Sequence, residues 1–122
     1  MKALFGVLLA VVLASANANA QELEVGNGLI CSTAEQVERT IVQWDKIGSQ
    51  IVAKINDEAK SAVCGVVPVA YQRGKTVKTV GNKQGRFDIV EILVIGVATP
   101  AGIIPVAPMV QYTTFKVVGH DI

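Results

Sequence analysis

The period of the apolar residues changes once along this chain, near Val63, and that change limits the architectures open to it. Before it, apolar positions recur at helical spacing. Val37, Ile41 and Trp44 stand at i, i+4 and i+7 in "STAEQVERTIVQW", one face of an α-helix. Ser32 with Glu35, or Thr33 with Gln36, supplies a capping box in which each partner satisfies a free backbone donor. "DKIGS" then interrupts the pattern, with Gly48 a poor helix former and Ser49 a new N-cap. "SQIVAKINDEAK" resumes it with Ile51 and Ile55 on one face and Val52 and Ala59 beside them. The spacing predicts two short helices, with one continuous helix as the alternative.

After Val63 the pattern is that of strands. "VCGVVPVAYQRG" is β-rich, and Pro68 within it points to an edge or a bulge. Arg73 to Lys75 reads as a turn into "TVKTVGN", and Asn82 to Gly85 as a second turn. "RFDIVEILVIGVA" is apolar on both faces, as a central strand would be. "TPAGIIPVAP" reads as a proline-rich loop and "MVQYTTFKVV" as the final strand. Helices first and strands afterwards predict an α+β fold. The helix pair would pack on a four- to five-stranded antiparallel meander, either open or curled into an SH3-like barrel.

The chain begins with a different kind of segment. Lys2 precedes the apolar run "LFGVLLAVVLA", and the small residues "SANANA" follow, the anatomy of a secretory signal peptide. The run is too short to span a bilayer, and Ala18-Asn19-Ala20 places cleavage after Ala20. The expected organisation is a signal peptide over 1–20, a flexible arm over 21–30, one domain over 31–118 and a tail over 119–122. This predicts a periplasmic or secreted protein with no transmembrane segment after cleavage.

Export decides how the two cysteines are read. Cys31 and Cys64 are the only ones, and in an oxidising compartment an even pair forms a disulfide. Cys31 also sits at a predicted helix start, where a thiol can be activated. However, the lone His120 lies in the tail, so no Cys–His nucleophile pair is expected, and no zinc set or other metal site is present. Nor is there a phosphate-binding glycine loop or a nucleophile elbow, and no cofactor is expected.

Beyond residue 20 the chain carries ten bases against ten acids, since Lys2 is the only charged residue of the leader. That balance speaks against specific nucleic-acid binding. The charges are unevenly spread. Arg73, Lys75, Lys78, Lys83 and Arg86 form a basic segment free of acids, a candidate surface for a protein or an anionic envelope component. Glu91 is the odd residue of its strand, sharing a face with Phe87, Ile89, Leu93 and Ile95. A carboxylate there needs a cation such as Lys78 or Arg73, hydrogen bonds, or solvent. Trp44, Tyr71, Tyr112 and Phe115 could stack a ligand, or simply pack.

The stretches "CSTAEQVE", "INDEA", "AVCGVVPVAYQRG", "FDIVEILVIGVATPAG" and "PVAPMVQYTTF" together resemble short exported proteins of unknown function from alphaproteobacteria. The resemblance runs from Cys31 to Lys116 and implies export and a compact domain. It implies no activity. The reading that follows is a non-catalytic binding or interaction module. The alternatives are a small envelope enzyme using Glu91 or another carboxylate, and a structural, self-associating envelope protein.

Overall fold

The computed structural model describes residues 23–117; the leader with its cleavage site, and the tail from 119 on, lie outside the described residues. Six elements follow in order: β1 (Leu23–Cys31), α1 (Ala34–Ile47), α2 (Gln50–Ala59), β2 (Cys64–Asn82), β3 (Gly85–Thr99) and β4 (Gly102–Lys116). All strand pairs are antiparallel, so the fold is α+β with two helices set against an antiparallel sheet.

The helix pair forms as its sequence dictates. Thr33 is the N-cap of α1, and its hydroxyl accepts from the Gln36 N–H while the Gln36 side chain accepts from the Thr33 N–H. Gly48 stops the helix with φ +60°, a conformation that glycine adopts without a Cβ clash. The buried residues Val37 and Ile41 of α1 meet Ile51 and Ile55 of α2. Trp44, expected on the same face, is instead 36% exposed.

The first correction concerns residues 21–30, read as a loose arm. Leu23–Cys31 is a strand that pairs with β2 along its whole length, from Leu23 opposite Gln72 to Cys31 opposite Cys64. A strand therefore precedes the helices. Its period-2 burial, with Leu23 and Val25 outward and Glu24 and Gly26 inward, is that of a half-buried strand. The second correction is at Arg73–Lys75. There is no turn there: β2 runs on to Asn82 and absorbs its extra residues as bulges between Arg73 and Lys78. Gly74 lies within this stretch because a Cβ would stand 2.7 Å from the Glu91 carbonyl oxygen. The third is "TPAGIIPVAP". Only Pro100 and Ala101 lie between β3 and β4, and the segment from Gly102 on is strand, with a register shift opposite Val94–Gly96. Pro68 does fall where no ladder to β3 has yet begun, on the part of β2 that pairs only with β1.

β3 lies between β2 and β4, and β1 joins β4 through Ile30 opposite Thr113 and Cys31 opposite Tyr112. The ladder thus closes into a ring. Beyond that two-residue join the edges of β1 and β4 run on without pairing to each other. The Thr113 hydroxyl donates to the Leu29 carbonyl at 2.6 Å and caps the ladder where it stops. Two clusters lie on opposite faces of the strands. One packs Val37, Ile41, Ile51, Ile55 and Ile89 around the Cys31–Cys64 disulfide. The other fills the ring with Ile30, Val69, Tyr71, Val90, Ile92 and Val94. Alternation along β3 explains the division, since Ile89 faces the helices and Val90 the ring.

Candidate functional site

The two cysteines are directly opposite in the β1–β2 ladder and are bonded, with Cα atoms 4.1 Å apart. Cys31 is fully buried, so no thiol is available for catalysis. Asn56 of α2 secures the same corner. Its amide donates to the Cys64 carbonyl, and its oxygen accepts from the N–H groups of Val63 and Cys64.

The basic segment is not one free patch, because the fold brings acids against it. Lys78 is paired with Glu38 of α1 at 2.9 Å, and the Lys83 N–H donates to the Asp45 carboxylate. Arg73 makes two hydrogen bonds to Glu24 of β1, at 3.0 and 2.8 Å, and its guanidinium carbon lies 3.6 Å from the Phe115 ring centre. The Lys83 bond is made by its backbone, so the ammonium groups of Lys75 and Lys83 and the guanidinium of Arg86 are exposed and take no ion pair among the described residues. The Tyr71 hydroxyl also donates to Glu24, at 3.2 Å. These Arg73 hydrogen bonds hold the Glu24 carboxyl below the usual carboxylate range, against the opposing effect of burial. Burial, with the Glu24 charge beside it, pushes the Tyr71 hydroxyl up. Sequence reasoning missed this cluster because it assigned Glu24 to a loose arm. The alternation in "LEVGNGLIC" was the signal that could have found it.

Glu91 is half-buried, and Lys78 and Arg73 are both committed to other acids. Its one side-chain partner among the described residues is the Tyr112 hydroxyl, which donates at 3.4 Å from the strand position opposite. It borders a shallow recess of about 180 Å³ with Gln72, Gly74 and Val110. Tyr71 and Phe115 pack inside the ring, with their ring centres 6.5 Å apart. Among the described residues, no group of three or more His, Cys, Asp or Glu could hold a metal ion, and no helix is long and apolar enough to cross a membrane.

A further candidate surface is the outer edge of β4. From Gly102 to Gln111 no strand among the described residues lies beside it on the side away from β3. Ile103, Ile104, Met109 and Val110 are 44%, 57%, 48% and 50% exposed. Pro105 and Pro108 lie within this edge strand, and neither carries a backbone N–H. No protein-family model matches the chain, and neither a curated protein nor a solved structure matches it.

Proposed function

We propose that this is an exported, non-catalytic interaction module that holds an extended segment of a partner protein against the edge of β4. The observation that carries the reading is the unpaired backbone of Gly102–Gln111 combined with four large apolar side chains exposed along it. A partner strand would satisfy the backbone groups while its side chains cover the apolar ones. We read the ring of strands as a small SH3-like barrel, a scaffold that keeps this edge rigid. The leader pattern, the buried disulfide and the resemblance to exported alphaproteobacterial proteins support a location outside the cytoplasm, in the periplasm or medium.

The prolines favour a partner over self-association. An apolar edge invites stacking of identical copies, and proline on that edge is one of the ways natural sheets prevent it. Pro105 and Pro108 break the edge into two short pairing stretches, which suit a short bound segment better than an open-ended stack. The rival enzymatic reading rests on Glu91, whose support is a single long contact to Tyr112 and a shallow recess. An anionic partner at the basic segment has less in its favour, with Arg73 and Lys78 already paired.

The test is capture of envelope proteins by the oxidised chain and by an Ile104→Lys/Val110→Lys variant. A partner recovered with the parent and lost with the folded variant is expected. Equal recovery would sink the edge as the docking surface. Light scattering on the purified parent separates the alternatives: a concentration-dependent oligomer abolished by the same variant would favour self-association.

A further inference from the structure

We propose that the pocket beneath Trp44 is a binding site for a small, uncharged, apolar compound of about one ring. The pocket lies between α1 and the β2–β3 turn and has a volume of about 230 Å³. Its apolar walls are Leu29, Ile41, Trp44 and Phe87. A close-packed interior leaves few voids larger than a water, and an apolar cavity near 150 Å³ can hold a benzene ring. Of the other hollows by the strands, the one at the opening between β1 and β4 is about 130 Å³, smaller than that measure, and the recess beside Glu91, about 180 Å³, is lined by the charged Arg73 and Glu91.

Two hydrogen bonds keep the space from closing or widening. The Asn82 amide donates to the Ile41 carbonyl at 2.9 Å, and the Lys83 N–H donates to Asp45 at 2.8 Å. They fix α1 to the turn at both positions, one helical turn apart. The walls are therefore preformed, which spares a ligand the cost of ordering them.

The polar lining sets the ligand class. No ionisable residue lines the pocket, so a charged ligand group finds no counter-ion among its walls and loses part of its hydration on entering. Thr40 is already bonded to the Gln36 carbonyl, and Asn82 to Ile41 and to the Gln84 N–H. The Gln84 amide and the Thr114 hydroxyl have no side-chain partner among the described residues. One hydroxyl or carbonyl on the ligand could use either. An alcohol on a saturated or aromatic ring fits this description.

Trp44 is the only tryptophan, so its indole reports on this pocket alone. The oxidised protein, labelled with nitrogen-15, is titrated with cyclohexanol, with benzyl alcohol and with cyclohexanecarboxylate. Saturable shifts centred on the Trp44 indole N–H and on the amides of Leu29, Ile41 and Phe87 are expected. The carboxylate should bind at least about tenfold more weakly than the alcohol. Thr114→Phe fills the pocket from the sheet, and Gln84→Phe covers it from the exposed turn; either, when folded, should abolish the shifts. Shifts that do not saturate, or that centre on the β4 edge, overturn the site. So does unchanged binding in a folded filled variant. Equal binding of the carboxylate overturns the ligand class. If neither variant folds, the shift map of the parent decides.

Discussion

Glu24 accepts three hydrogen bonds, two from Arg73 and one from Tyr71, and joins β1 to the bulged half of β2. Both members of the ion pair are partly exposed, so screening limits what it contributes. Glu24→Gln should cost about 1 kcal/mol or less at neutral pH. The sign of the pH effect follows from the lowered carboxyl. Its folded pKa lies below the unfolded one, so its stabilisation is complete above the unfolded value. It is lost as pH falls through the folded value. Melting temperature against pH should therefore fall less steeply on the acid side in Glu24→Gln than in the parent. Glu58, lowered by its hydrogen bonds from Arg39, acts in the same direction and keeps some slope in both. Asn56 bears more weight for its size. Asn56→Ala would strand the Cys64 N–H and carbonyl at the start of β2, while the Val63 N–H keeps the Ser61 carbonyl as an acceptor, and should lower the unfolding free energy by about 1–3 kcal/mol. Denaturant melts measure it. Equal midpoints for variant and parent would mean that water replaces the amide without loss.

At the scale of elements, local signals were legible and contextual ones were not. The capping box, the stop at Gly48, the Asn82–Gly85 turn and the central position of β3 are all written in short stretches, and the structure has each of them. The failures share a cause. Gly26, Gly28, Gly74, Pro105 and Pro108 stand in stretches that read as arm, turn or loop, yet every one lies within a strand. In a strongly curved sheet, glycine serves where backbones approach closely, as at Gly74 against Glu91, and proline is tolerated on an edge. Those uses depend on what lies across the ladder, which a single sequence does not display. The same holds for the candidate surfaces. The basic segment was visible as composition, but Glu38 and Asp45 reach it only because α1 lies over the hairpin. The β4 edge was hidden inside an expected loop, and the Trp44 pocket arises from the meeting of α1 with the turn.

Taken as a whole, the molecule closes its ring with only two residue pairs between β1 and β4, while nine pairs and a disulfide hold β1 to β2. In the chain-entropy model a bond spanning 33 residues is worth roughly 3–4 kcal/mol. Both helices lie within the span that this bond closes. The consequence is a tolerance to cutting. A protease that cleaves between α1 and α2, at the exposed Ser49, would release no fragment. The product would be a two-chain protein, its lighter chain carrying β1 and α1 and still tied to the heavier one through Cys31. It should migrate as one band without reductant and as two with it. Before reduction, the strand ring should keep the circular dichroism of the uncut form. Release of the lighter chain under oxidising conditions would show that β1 relies on an intact helical link, and not on its bond and ladder with β2.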